Sequence, residues 1–227
     1  MNIIKFKTKD DLENQLVKET VAKITKLQDS KKNLFLLFSG GSTPKLFLQK
    51  LAKSDISWNS ITVSLADERL VDEMSEHSNK KFLYDNLINR IDSEKPQFLS
   101  LVLEPNNELE NIKQVRQDKK LFQEPDISFL GMGTDGHFAS LFPNDNNSSQ
   151  GLKENNSDII LNTMAPVSPK KRISYSLNHL IKSKYLFLFC TGHNKLNILN
   201  QTPLDNKLPI HDLLQQGKKS ISIYWAP

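Results

Sequence analysis

The run Asn33-Leu-Phe-Leu-Leu-Phe-Ser39 constrains the fold more than any other stretch, because five consecutive apolar residues lead straight into Gly40-Gly41. A strand with one wet face alternates apolar and polar side chains; a continuous apolar run is the pattern of a strand covered on both faces, as at the centre of a parallel sheet. Parallel neighbours require crossover helices, and the surrounding sequence supplies them. After a short first strand, residues 10–27 carry Leu12, Leu16, Val21, Ile24 and Leu27 at helical spacing, with Asp11 and Glu13 near the positive end of the helix dipole. Residues 44–52 predict the next helix. Further strands are expected at 61–66, 127–130, around Ile159, at 185–190 and at 221–225, with a short additional one at 173–176. Helices are expected at 79–91, 107–121, 177–182, 194–199 and near Ile210. The expectation is therefore α/β: a single domain with a mostly parallel central sheet flanked by helices.

At 227 residues, without a Pro- or Ser-rich linker, the chain reads as one domain over residues 1–227. Its formal charge of +4 comes from a lysine-rich composition in which only four of the 30 basic residues are arginine. The lysines are scattered, without a basic helix face or interleaved aromatics, so nucleic acid is not an expected partner. Cys190, the sole cysteine, closes the apolar run Tyr185-Leu-Phe-Leu-Phe-Cys190 and reads as a small buried side chain. The first ten residues lack the apolar core of a signal peptide, and no run is long enough to cross a bilayer. A cytoplasmic, soluble protein with no membrane partner is expected.

Ligands of such sheets collect beyond the carboxyl ends of the strands, where four loops attract attention. Ser39-Gly40-Gly41-Ser42-Thr43-Pro44 follows a strand and opens a helix, with Pro44 at the first helical position and Thr43 or Ser42 as cap. It reads either as a phosphate cradle of free amides or as a tight turn with an ordinary cap. It lacks the Gly-Lys-Ser/Thr ending of a Walker loop. Ala66-Asp67-Glu68-Arg69 places a rare arginine after a strand, read as a bidentate anion contact or as a local pair with Glu68 or Asp67. His77-Ser78-Asn79 follows, where capping is the expected role of both Ser78 and Asn79. In Thr191-Gly192-His193-Asn194-Lys195, Lys195 is either a point charge for phosphate or a surface lysine. Arg172, after Pro166 and Pro169, is either a ligand clamp or a surface charge; His179 and His211 have no motif around them.

The loop with the clearest chemistry runs from Asp126-Ile-Ser-Phe-Leu through Gly131-Met-Gly133-Thr-Asp135-Gly136-His137 to Phe138-Ala-Ser-Leu-Phe-Pro143. Glycines let backbone amides approach a ligand, and His137 can move protons near neutral pH. Gly131 to Gly136 matches the dinucleotide fingerprint, but that unit needs a full helix after the third glycine and an acid about 20 residues on, at the end of the next strand. Here Pro143 and the polar run 144–150 are expected to stop any helix after two turns, and the run at 158–165 has its acid at the start. Ser140 lacks a Gly-x-Ser-x-Gly elbow, so a serine hydrolase is not supported. The five histidines show no pair at metal-ligand spacing, and no metal is expected.

Taken in order, Ser39-Gly-Gly-Ser-Thr-Pro44, Asp67-Glu-Arg69 with His77-Ser-Asn79, Gly131 to Pro143, Arg172-Ile-Ser and Thr191-Gly-His-Asn-Lys195 resemble the successive motifs of the 6-phosphogluconolactonase family. That family shares a superfamily with glucosamine-6-phosphate isomerase/deaminase, and the resemblance implies its modified Rossmann-like α/β sheet. The Ala139-Ser-Leu-Phe-Pro143 tail resembles the lactonases, where deaminases typically end in Asn-Glu-Pro, and deaminases usually carry an aromatic residue at the Arg69 position. Two departures stand out. Phe138 occupies a usual threonine position, and the sequence ends at Trp225-Ala-Pro227 without the acidic helical tail common after the tryptophan.

The resemblance implies hydrolysis of 6-phospho-D-glucono-1,5-lactone to 6-phosphogluconate, the second step of the oxidative pentose phosphate pathway; a monomer without cofactor is expected. His137 is the candidate general base and Asp135 its orienting partner; glycine-loop amides, Gly133 among them, are candidates for the oxyanion. Gly40, Gly41, Ser42, Thr43, Arg69, Arg172 and Lys195 are the candidate phosphate contacts. Two other readings stay open: an amino-sugar-phosphate isomerase/deaminase, and a sugar-phosphate sensor. The sensor reading lacks a helix-turn-helix segment before residue 10.

Overall fold

The computed structural model describes residues 3–201, 207–217 and 220–227. The chain runs β1 (Ile3–Lys5), α1 (Lys9–Gln28), β2 (Leu34–Phe38), α2 (Lys45–Ala52), β3 (Ile61–Leu65), β4 (Asp67–Arg69) and α3 (Asn79–Asn86). It continues through β5 (Gln97–Phe98), α4 (Glu108–Val115), β6 (Ile127–Leu130), α5 (Asn146–Gly151), β7 (Ile160–Met164) and β8 (Lys171–Tyr175). It ends with α6 (Leu177–Leu180), β9 (Tyr185–Thr191), α7 (His193–Asn200), α8 (Pro209–Gln216) and β10 (Ile221–Ala226). Seven strands form one sheet in the order β1-β10-β9-β6-β2-β3-β5, with every neighbouring pair parallel.

The apolar run of β2 is buried along its whole length, as a central strand between two helix layers must be. Aromatic rings cross the sheet from there. Phe38 stacks on Phe129 at 4.8 Å, Phe129 on Phe187 at 5.3 Å, and Phe47 of α2 leans on Phe129 at 5.1 Å. Truncating a ring so enclosed costs about 3–5 kcal/mol, so Phe129→Ala is the single change that most directly breaks this core. At the other end of the strands, Asp126 accepts the Phe35 amide at 2.8 Å and the Lys31 ammonium at 2.7 Å, tying β2 to β6.

Topology places the site. The chain proceeds from β2 outward through β3 and β5, then returns to build β6 on the opposite side of β2. The boundary between β2 and β6 is thus a switch point, where loops leaving the carboxyl ends diverge and open a crevice. The loops at 39–44 and 131–137 flank it.

Several expectations are corrected. β7 and β8 do not join the parallel sheet; they form a hairpin and, with β4, a separate antiparallel sheet in the order β4-β8-β7. Asp67–Arg69, read as loop, is therefore a strand. Ala66 links the two sheets, its amide donating to Phe38 and its carbonyl accepting from Tyr175. The polar segment expected to stop a helix forms α5, because the Asp145 carboxylate caps it through the Ser148 amide at 2.8 Å. α3 and α4 end early, each followed by a 3₁₀ turn, at Ile88–Arg90 and Lys119–Phe122. Pro44 sits at the N-cap of α2, and neither Ser42 nor Thr43 caps it. Phe138 is fully buried in the core, which accounts for an aromatic where a threonine is usual.

Candidate active site

A cavity of about 520 Å³ opens at the switch point, and all ten candidate residues line it: Gly40, Gly41, Ser42, Thr43, Arg69, Gly133, Asp135, His137, Arg172 and Lys195. Parallel strands deliver most of them from one edge. The 39–44 loop leaves β2, the 131–137 loop leaves β6, and Lys195 stands in the first turn of α7 after β9.

In the β6 loop, Asp135 Oδ1 lies 2.5 Å from His137 Nδ1 and also accepts the His137 amide at 3.2 Å. The Gly133 amide bonds the His137 carbonyl, closing the turn. A Cβ at Gly133 would stand 2.3 Å from the imidazole, so only glycine lets the ring reach its partner. With Nδ1–H donated to the carboxylate, Nε2 carries the lone pair of the neutral ring. Burial raises the Asp135 pKa, but the hydrogen bond and charge of His137 outweigh it and hold the carboxyl below its ordinary range. The pair can therefore accept a proton at Nε2 and stabilise the imidazolium that results.

The opposite wall is cationic. β4 pairs with β8 so that Arg69 and Arg172 stand directly opposite each other. Arg172 is only 7% exposed, which removes the surface-charge reading. Burial and then the neighbouring Arg69 charge push its pKa down. Its Nε donates to the Pro169 carbonyl at 2.9 Å. Arg69 gives one terminal nitrogen to the His77 carbonyl, while its buried Nε has no partner among the described residues.

The local pair expected for Arg69 with Glu68 or Asp67 does not form. Glu68 instead accepts the backbone amides of Arg69, Asn79 and Lys80, each at 2.7 Å, at the positive end of α3. Burial, only partly offset by these bonds, raises its pKa. Asp67 accepts the Ser140 hydroxyl at 2.5 Å. Two like charges facing one cavity attract an anion strongly, and a phosphate matches their forked geometry.

Ser78 caps α3 as expected, through the Lys81 amide. Asn79 does not cap; its amide nitrogen holds the Asp67 carbonyl at 2.9 Å while its oxygen crowds Gly40, where a Cβ would lie 1.9 Å away. Gly40 is thus required by close approach. Sequence reasoning missed Asp67, Ser140, Phe142, Pro166 and Val167 as cavity residues. Asp67 carried a signal, a carboxylate at a strand end, but the hairpin bearing Pro166 and Val167 depends on the second sheet. Among the described residues, no helix is long and apolar enough to cross a membrane.

Fold and site together define a Rossmann-like α/β protein whose switch-point crevice joins a hydrogen-bonded Asp–His pair to a wall bearing two arginines. Residues 7–223 match the family described as glucosamine-6-phosphate isomerases/6-phosphogluconolactonase, and the chain belongs to that family. It is 36% identical over 196 residues to a 6-phosphogluconolactonase of Helicobacter pylori, covering 83% of this chain and 82% of that one. A 6-phosphogluconolactonase of Rhizobium meliloti is 30% identical over 197 residues, covering 85% and 84%. The crystal structure of a 6-phosphogluconolactonase from Shewanella baltica superposes with a TM-score of 0.90 at 26% identity, covering 99% of this chain and 97% of that one. A monomeric glucosamine-6-phosphate deaminase shares the fold, with a TM-score of 0.79 at 17% identity.

Proposed function

We propose that the protein is a 6-phosphogluconolactonase that hydrolyses 6-phospho-D-glucono-1,5-lactone to 6-phosphogluconate in the oxidative pentose phosphate pathway. The observation that carries the reading is the Asp135–His137 pair, with no hydrogen-bond partner at Nε2 among the described residues, in the same cavity as Arg69 and Arg172. The lactonases among the relatives support it.

The substrate phosphate binds Arg69, Arg172, Lys195 and the amides of Gly40 to Thr43. Each charge-assisted hydrogen bond is worth roughly 1.5–3 kcal/mol, and together they hold the lactone carbonyl against the base. His137 Nε2 takes a proton from water as the water oxygen bonds to the carbonyl carbon. The tetrahedral oxyanion is met by amides of the 131–134 loop, Gly133 included. On collapse the carbon–ring oxygen bond breaks, and the imidazolium returns its proton to that oxygen, leaving the acid. Asp135 stays ionised and stabilises the imidazolium. The scheme uses no metal and no cofactor, and it assigns the activity to residues 1–227 as one cytoplasmic, monomeric unit.

The family description also covers isomerases, so a second reading is an amino-sugar-phosphate deaminase using the same pair for ring opening. Release of ammonia from glucosamine 6-phosphate distinguishes it. Lactone hydrolysis coupled to 6-phosphogluconate dehydrogenase, corrected for spontaneous opening, tests the first reading. No acceleration over the blank removes it, and tight sugar-phosphate binding without turnover points to a sensor.

A further inference from the structure

Phe142 joins the two walls of the cavity. Its side chain is 5% exposed and lines the site. The His137 imidazole lies 4.6 Å from its ring, centroid to centroid and tilted by 41°. The guanidinium carbon of Arg172 is 5.8 Å from the centroid of the same ring, within cation–π range.

Both neighbours are otherwise lightly held. Among the described residues the ring of His137 has one hydrogen bond, at Nδ1, which fixes a point but leaves the ring free to swing about it. The Arg172 side chain has one among the same residues, at Nε to Pro169, and none at its terminal nitrogens. A flat ring packed against each supplies the second constraint. Phe142 is in turn fixed from behind. Its amide donates to Ser148 Oγ at 2.9 Å, and that hydroxyl donates to Asp145 Oδ2 at 2.7 Å, the same carboxylate that caps α5. The polar segment after the active-site loop thus serves as the anchor of an aromatic brace.

We propose that Phe142 is a positioning residue that orients the base His137 and the anion clamp Arg172 together, so that removing its ring degrades turnover and phosphate affinity at once. The turnover half rests on the lactonase reading; the affinity half does not.

The test compares Phe142→Leu, Phe142→Tyr, Arg172→Lys and the Phe142→Leu/Arg172→Lys double variant. Kinetics are measured with the lactone, and the affinity for inorganic phosphate is measured separately by titration calorimetry. Since misplacement by about 1 Å can cost ~100-fold, Phe142→Leu is expected to lower kcat about tenfold and to raise KM and the phosphate Kd about fivefold. Phe142→Tyr, which keeps the aromatic face, holds all three within about twofold of wild type. On the Arg172→Lys background, Phe142→Leu leaves the phosphate Kd nearly unchanged, because residues acting through one contact are not additive.

The proposal is overturned if Phe142→Leu leaves kcat and phosphate Kd both within twofold, if tyrosine loses as much as leucine, or if the Kd effects simply add. Should Phe142→Leu fail to fold, Ser148→Ala carries the test, since it frees the ring from behind. A fall of about threefold in kcat with weaker phosphate binding supports the brace, and no change in either sinks it. If the wild type shows no lactone turnover but the phosphate pattern holds, the lactonase reading fails and the brace stands.

Discussion

On one wall of the cavity, Asp135 and His137 share a single glycine turn and meet through a 2.5 Å hydrogen bond. On the other, Arg69 and Arg172 come from distant parts of the chain and face each other only because β4 pairs with β8. The first wall is electrostatically complete, with carboxylate and imidazole compensating each other. The second is incomplete, two arginines on paired strand positions whose like charges disfavour each other, with Glu68 committed to backbone amides. Fixed geometry between neighbouring side chains can be encoded by a short motif, whereas an uncompensated positive field is built by the fold, which brings distant cations together.

The largest effect separates the walls by chemistry. His137→Ala is expected to lower kcat by about 10²–10⁴-fold while leaving KM within about threefold, because a general base acts only in the transition state. Steady-state kinetics check this, and a KM effect that exceeds the kcat effect breaks the contrast. Gly133→Ala sharpens it, since the added Cβ would push on the imidazole and lower kcat about tenfold or more without touching either arginine.

The next effect belongs to the cationic wall. Arg69→Ala or Arg172→Ala is expected to raise KM roughly 10–100-fold, the weight of one charge-assisted bond to phosphate, with a smaller change in kcat. Raising ionic strength should weaken binding more in the wild type than in either variant.

A smaller, pH-dependent effect acts on the wall's support. His179 stacks on Tyr175 of β8 at 5.0 Å, and both its ring nitrogens are buried without hydrogen-bond partners among the described residues. Burial, reinforced by Lys182, pushes its pKa down to about 4 from an ordinary value of 6.5. The unfolded chain therefore protonates first, and stability is lost as pH falls from 6.5 towards 4, by an amount on the order of 1–3 kcal/mol. Denaturant unfolding of the wild type and His179→Leu across that window checks it. The variant should show a flatter pH dependence.

Asp135 gives the smallest and oppositely placed effect. Its folded pKa lies below the ordinary carboxyl value, so its contribution to stability is present above that value and disappears as pH falls through the folded one. Asp135→Asn should flatten acid unfolding below about pH 4 and leave the His179 window unchanged.

The contrast between the walls also explains what could be read from the sequence. β2 and β6 were legible because their apolar runs have one reading, and β6 spans the expected residues 127–130. The turn from Gly133 to His137 was legible because its residues contact one another. The second sheet was not. Ile160–Met164 shows no pattern that tells which sheet its strand joins, and Asp67–Arg69 is three polar or charged residues that become a strand only by pairing with β8. The approach of Arg172 to Arg69, and the burial that separates a clamp from a surface charge, followed from that pairing alone. α5 was misread for a different reason. Its polar residues counted against a helix, whereas Asp145 three residues before Ser148 is the capping pattern that starts one.

The most direct test measures lactone hydrolysis by wild type and His137→Ala, side by side and against the spontaneous reaction. The wild type is expected to accelerate hydrolysis strongly, with kcat reduced by about 10²–10⁴-fold and KM nearly unchanged in the variant. Equal turnover by the two proteins would contradict it and remove His137 from the chemistry.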